Sequence, residues 1–331
     1  MRREKKPGVE SERRSPLRRQ ITAGVIGVGA MGKNHARLYS ELPGVELIGV
    51  ADVSEILAAS VARDYGCKPF ADYKALLGES LDVLSIAVPT TLHKKIALDA
   101  IGRGINVLVE KPIADTVENA DEMIKAARVK RVKLLVGHVE RFNPAIMKLK
   151  ELIDSGLLGE VVSISAKRVG LYNPRIKDVG IIIDLGTHDI DIMSYLYGQR
   201  IKEVYASAGS VVHSHEDHAI ITLNFTNGSS GVIDTNWLTP HKVRNLTVIG
   251  SQAIAEVNYI EETLRIFDRE WVRDAKIEKA EPLKLELLHF IDCVQHNKKP
   301  LVPGEEGKHA LEVALAAMKS ARTGSVCEII R

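Results

Sequence analysis

At 331 residues the chain exceeds the roughly 250–300 at which one hydrophobic core stops growing, so two domains are expected. Hydrophobic residues make up 45% and charged residues 27% of it, ordinary globular values, while the net charge of +2 conceals a tail of +5 over residues 1–19 ahead of a body of −3. A net-negative body argues against a nucleic-acid enzyme, and no apolar run approaches the roughly 20 residues that a membrane span requires.

The first segment, 1–19, carries Pro7, Gly8 and Pro16 and almost nothing to bury, which predicts a basic disordered tail. Its Glu4, Glu10 and Glu12 count against a transit peptide, and no apolar stretch before a cleavage site marks a secretory signal. From Ile21 short β-branched runs alternate with helical patterns. Strands are predicted at 21–28, 45–52, 82–88, 105–109 and 133–137, with amphipathic helices such as 54–65 and 116–130 between them. That alternation predicts a doubly wound parallel sheet, an N-terminal Rossmann domain over 20–142.

The first strand runs into Gly27-Val28-Gly29-Ala30-Met31-Gly32, a G-x-G-x-x-G that opens a helix. Gly27 permits the tight turn, Gly29 lets a pyrophosphate approach the backbone, and Gly32 lets the helix pack closely on the strand. Asp52 ends the next strand, twenty residues beyond Gly32, where a carboxylate accepts ribose hydroxyls and repels a 2′-phosphate. The expected cofactor is NAD. Lys111 follows the strand 105–109, at the carboxyl edge of the sheet where ligands of such folds bind.

After Pro144 the pattern changes. A helix at 144–154 precedes strands at 160–169, 201–212, 217–226, 229–238, 243–249 and 252–258, several joined by Asn-Gly or Gly-Ser turns. These predict a C-terminal α/β domain, 143–331, with a large, open, mostly antiparallel sheet. Helices are expected at 184–197, 283–296 and 308–322, the last returning toward the first domain. Within 184–197, Asp184 and His188 stand four apart on one helical face, where an imidazole can take an alcohol proton and a carboxylate stabilises the imidazolium. The group His213, His215, Glu216, Asp217 and His218 falls at a hairpin and reads as a polar turn rather than a metal site. Trp237 suits packing or a subunit interface better than base stacking. Cys67, Cys293 and Cys327 are an odd set without a C-x-x-C pair, which fits a reducing compartment and predicts a cytoplasmic protein.

The phosphate turn, Ala87-Val88-Pro89-Thr90-Thr91-Leu92-His93, Glu110-Lys111-Pro112, and Asp184 with His188 resemble, in the same order, the motifs of the Gfo/Idh/MocA oxidoreductases. The likeness runs from about Ile21 to the C-terminus. Thr90 stands where that family usually has Asn. The resemblance implies Lys111 as the catalytic or orienting lysine, aimed by a cis peptide at Pro112, His188 as acid/base and Asp184 as its partner. It also implies cofactor contacts from Gly27, Gly29, Ala30, Met31, Gly32, Asp52, Pro89, Thr90, His93, Glu110, Lys111 and His138, the last within the junction loop 137–144.

Four segments, at 137–144, 167–168, 174–180 and 236–240, resemble more narrowly the branch that oxidises C3 of UDP-N-acetylglucosamine. A diphosphate would give Arg168, Arg175, Lys242 and Arg244 a role in binding. The expected activity is therefore NAD-dependent oxidation of a sugar hydroxyl to a ketone, with Lys111, Arg168, Arg175, Asp184 and His188 around a nucleotide-sugar substrate. Two alternatives share the motifs: an inositol or simple-hexose dehydrogenase, and an NAD-binding regulator without turnover. No nucleic-acid or membrane partner and no metal is expected, and an open sheet predicts a homodimer or homotetramer.

Overall fold

The structure is a computed structural model that describes residues 20–172, 174 and 179–329; the tail expected at 1–19 and Arg175 lie outside the described residues. Six strands form the first sheet: β1 (Ile21–Ile26), β2 (Val45–Ala51), β3 (Lys68–Phe70), β4 (Val83–Ile86), β5 (Asn106–Glu110) and β6 (Leu134–Gly137). All run parallel in the order β3-β2-β1-β4-β5-β6, so the winding reverses between β1 and β4 and opens a crevice at their carboxyl ends. The crossovers contain α1 (Ala30–Glu41), α2 (Glu55–Tyr65), the short α3 (Tyr73–Leu76), α4 (His93–Gly102) and α5 (Val117–Lys130).

Local chemistry sets their ends. Ser54 Oγ accepts the Leu57 N–H at 3.3 Å to start α2, and Thr116 Oγ accepts the Asn119 N–H at 3.2 Å to start α5. Strand β3 escaped the sequence reading because three residues, Lys-Pro-Phe, are too few to show alternation.

A single turn, Val139–Phe142, leads into α6 (Pro144–Asp154), with Asn143 as its cap and Pro144 as its first residue. Next come β7 (Val161–Leu171), a wide π turn at Ile182–Gly186, and α7 (Thr187–Tyr197). The strands β8 (Ile201–Gly209), β9 (His218–Phe225), β10 (Ser230–Asn236), β11 (Leu238–Gly250), β12 (Ile254–Asn258), β13 (Thr263–Phe267) and β14 (Val272–Asp274) follow. Two helices, α8 (Pro282–Gln295) and α9 (Gly304–Thr323), precede a last short strand, β15 (Cys327–Glu328). The second sheet has the order β14-β13-β12-β11-β7-β10-β9-β8-β15 and is antiparallel except where β10 lies parallel to β7.

The fold class is thus a parallel six-stranded sheet followed by a mostly antiparallel one. Three strands, β13, β14 and β15, were not anticipated; β14 is fully exposed Val-Arg-Asp and β15 only two residues, so neither shows a buried periodicity. The helix expected at 184–197 begins instead with the π turn, where the Thr187 N–H reaches back five residues to the Ile182 carbonyl.

Three apolar clusters form the core. One joins the inner face of the second sheet to α6, α7 and α9. The others lie on the two faces of the first sheet, and both recruit the end of the chain: Leu311 of α9 on one side, Leu283, Leu287, Phe290 and Ile291 of α8 on the other. Both terminal helices, not the last alone, return to the first sheet.

Candidate active site

The turn after β1 has the shape a dinucleotide phosphate needs. Gly27 sits at φ +81°, and a Cβ there would lie 2.5 Å from the Ala87 carbonyl oxygen. A Cβ on Gly32 would fall 1.7 Å from the Gly27 oxygen, whereas one on Gly29 would meet nothing within 4 Å. The turn is therefore closed toward the protein and open on the side where a pyrophosphate approaches. Ala30 and Met31 begin α1, exposed at the helix N-terminus that faces that opening.

Asp52 leaves the end of β2 and is held in place by backbone donors, Val28 N–H to Oδ2 and Ser54 N–H to Oδ1, each at 2.9 Å. It lines a cavity of about 540 Å³ with Gly27, Gly29, Val88 and Pro89, and its outward charge suits a ribose diol. These features fit NAD.

At the carboxyl end of β5 the Lys111–Pro112 peptide is cis. Lys111 Nζ crosses to the second sheet's side, donating to the Asp184 backbone carbonyl at 2.6 Å and standing 3.6 Å from Asp184 Oδ1. An uninterrupted α-helix would commit that carbonyl to the amide four residues on.

His188, one residue into α7, is half-buried, and among the described residues its Nδ1 has no hydrogen-bond partner. Burial, then Lys111, Arg168, His138 and Arg244, hold its pKa well below the ordinary value. Among the described residues the partnership expected between Asp184 and His188 is not the one formed: Asp184 pairs with Lys111.

Glu110 faces inward. Its Oε1 lies 3.0 Å from His35 Nε2, and His35 Nδ1 lies 2.9 Å from Ser85 Oγ, which in turn contacts the Tyr39 hydroxyl at 2.9 Å. This buried polar chain braces the start of the Glu-Lys-Pro turn from beneath, and the remaining Glu110 oxygen receives the Lys111 N–H at 3.3 Å. His93, expected to touch cofactor, is buried with its ring nitrogens 3.0 and 2.9 Å from the Pro112 and Val88 carbonyls. It ties two active-site loops together instead. Thr90 starts the adjacent single turn. His138 is also buried, with neither ring nitrogen hydrogen-bonded and Asp191 Oδ2 3.8 Å from Nδ1.

Arg168 is corrected most sharply. It is 3% exposed, and its guanidinium forks onto Asp189 at 2.8 and 3.0 Å and onto Glu140 at 2.7 Å, stacked over Tyr259. Two carboxylates already satisfy it, so it has no charge to spare for a phosphate. On the other side of α7, Arg141 forks onto Asp191 at 2.8 and 2.7 Å and reaches Glu306 at 3.0 Å. Opening a buried pair of this kind costs about 3–5 kcal/mol, so the two clamps fix the helix that carries His188.

Asp189 and Asp191 were missed in the sequence, although one carboxylate just before and one inside the otherwise apolar Ile-x-Ile-Met stretch 190–193 are a readable sign of buried partners. In the hairpin that drew attention for its histidines, Asp217 Oδ2 accepts the N–H groups of Val211, Val212 and His213. Those donors and His218 hold its pKa below the carboxylate range, and its role is to shape the turn. Trp237 is 4% exposed and packed against Tyr172 and His213, so it offers no free face for stacking.

Known proteins share this architecture. The description "Oxidoreductase family, NAD-binding Rossmann fold" matches residues 21–138, and the "GFO/IDH/MocA C-terminal domain" matches residues 146–256. UDP-N-acetylglucosamine 3-dehydrogenase of Acidithiobacillus ferrooxidans is 30% identical over 305 residues, covering 89% of this chain and 95% of its own. Scyllo-inositol 2-dehydrogenase (NAD(+)) of Bacillus subtilis is 28% identical over 331 residues, covering 93% and 96%. A solved structure of the Acidithiobacillus enzyme superimposes with a TM-score of 0.86 at 29% identity, over 92% of this chain and 98% of that one.

Proposed function

The chain belongs to the Gfo/Idh/MocA family of NAD-binding oxidoreductases, and from that footing we propose that it oxidises C3 of UDP-N-acetylglucosamine to the 3-keto sugar. The carrying observation is the meeting of Lys111 from β5 with Asp184 beside His188, at the carboxyl end of the sheet that bears the phosphate turn. That supports a reading in which cofactor cradle and proton-handling groups work at the same end of that sheet.

Bound in the cradle, NAD supplies a hydride acceptor. The chain's own residues do the rest. His188, held neutral, takes the proton of the substrate hydroxyl; Lys111 donates to the same oxygen and offsets the charge that develops on it. Asp184 holds the Lys111 ammonium in place while the two arginine clamps hold α7. Residues 20–142 act as the cofactor domain and 143–331 as the substrate and oligomer domain. The uncovered face of the second sheet, with Tyr205, Ile220 and Val232 exposed, is covered by a second copy of the chain. Its three free cysteines suit the cytoplasm.

The nucleotide-sugar assignment draws on the branch-like segments and on the Acidithiobacillus relative. The Bacillus relative favours a second reading, a polyol dehydrogenase with the same catalytic groups. A screen for NADH formation with UDP-N-acetylglucosamine, myo-inositol and glucose separates them. The nucleotide sugar should give NADH and a product two hydrogens lighter, and Lys111→Ala and His188→Ala should each lose at least about a hundredfold in kcat. NADH from myo-inositol alone would defeat the substrate assignment; near-normal turnover in either folded variant would defeat that residue's role.

A further inference from the structure

Strand β11 carries Lys242-Val243-Arg244 just beyond an irregularity in its pairing with β7 between Leu238 and Val243. Alternation puts Arg244 on the same face as the buried Leu246 and Val248, the face covered by α7. Its register partner across the ladder is Arg168. Two arginines directly opposed on one sheet repel, and each needs a counter-charge if it is to lose solvent.

Arg168 has its counter-charges in Asp189 and Glu140. Arg244 has no such direct partner: it is half-buried, one guanidinium nitrogen donates to the Val169 and Val243 carbonyls at 3.0 and 3.2 Å, and among the described residues no carboxylate lies within ion-pair distance, Asp189, Glu140 and Asp184 acting on it only from further off. Lys242 likewise forms no ion pair among the described residues, and its backbone and stem lie close over Gly170, where a Cβ would stand 3.5 Å from the Lys242 Cα. Burial and the facing Arg168 bring Arg244 down to about 10, and burial with Arg244 lowers Lys242. Arg244 stands opposite Arg168, whose partner Asp189 adjoins His188 on α7, which puts Arg244 beside the proposed reacting groups.

A half-buried arginine beside an exposed lysine, neither with an ion-pair partner among the described residues, is a receptor for an anion. We propose that Lys242 and Arg244 form the subsite that holds the diphosphate of the sugar substrate, and so select an anionic substrate over a neutral polyol. This rests on the nucleotide-sugar reading above and adds the residues that enforce it. Arg168, the arginine first singled out in the sequence, is the scaffold against which Arg244 is set.

The test pairs kinetics on UDP-N-acetylglucosamine with calorimetric titration of the NADH-loaded enzyme by inorganic pyrophosphate and by UDP. Arg244→Gln and Lys242→Gln should each raise KM for the nucleotide sugar by about tenfold or more while kcat moves by less, and weaken pyrophosphate and UDP by a similar factor. Lys242 is exposed and makes no hydrogen bond among the described residues, so its variant serves if Arg244→Gln fails to fold. A KM shift below about twofold in every folded variant overturns the subsite and leaves the substrate assignment standing. If the wild type oxidises only a neutral polyol, the substrate assignment falls. Pyrophosphate then decides: competition weakened by the two substitutions keeps an anion subsite, and no competition removes it.

Discussion

As the base proposed above, His188 reverses the usual account of a histidine assisted by a carboxylate. With Lys111, Arg168, His138 and Arg244 as the charges acting on it, and Asp184 and Asp189 turned to Lys111 and Arg168, its imidazolium is disfavoured before substrate arrives. The sign follows directly. A base whose pKa is depressed stays deprotonated to lower pH, so sugar oxidation fails only as pH falls through that depressed value. The acid limb of kcat/KM, which reports the free enzyme, should lie below the ordinary histidine pKa of about 6.5. In Arg244→Gln, which removes one of the cations, the limb should move upward. A wild-type limb at or above 6.5, unmoved in the variant, would show that the cations do not govern this group. The same depression makes the protonated ring a strong acid, suited to protonating a ketone in the reverse direction.

Among the elements, α8 carries an unpartnered carboxyl. Glu286 is fully buried against the first sheet, neither carboxyl oxygen has a hydrogen-bond partner, and burial, with Glu110 and Asp191 nearby, holds its pKa well above the usual range. A carboxyl raised in the folded state contributes stability that is fully present below the unfolded value of about 4.3 and is lost as pH rises toward the folded one. Glu286→Gln should therefore raise Tm at pH 8, by about 2–4 °C per kcal/mol recovered, with the gain vanishing toward pH 4. A gain independent of pH would mean that ionisation is not the cause.

Glu286 also marks where sequence reading stopped. The parallel sheet and the phosphate turn were legible because period and glycine placement are local signals, and chain order was enough to single out Asp52, Lys111, Asp184 and His188 as candidates. Which arginine is spent and which is free was not. Arg168 and Arg244 read identically until strand register opposes them and α7 delivers Asp189 to only one. The π turn, the burial of His93 and the pairing of Asp184 with Lys111 likewise depend on contacts far apart in the chain.

At the scale of the molecule, the second sheet presents one covered and one bare face. Tyr205 on β8 and Ile220 on β9 are 44% and 47% exposed, Val232 on β10 is 40% exposed, and Ile249 and Ile254 extend the apolar strip onto β11 and β12. Light scattering should give two or four times the monomer mass, and Val232→Glu, at the middle of that strip, should shift the population toward monomer. A monomeric wild type at micromolar concentration would end the idea. The terminal helices carry a different consequence, one of timing. The first sheet is complete at Gly137 and its own crossover helices cover much of both faces, yet the cover of one face is finished only by Leu283–Ile291 and that of the other by Val302 and Leu311. As the chain leaves the ribosome, the part of the first half that those late segments cover stays bare until the end of the chain emerges, so the nascent protein should need shelter from aggregation until late in its synthesis.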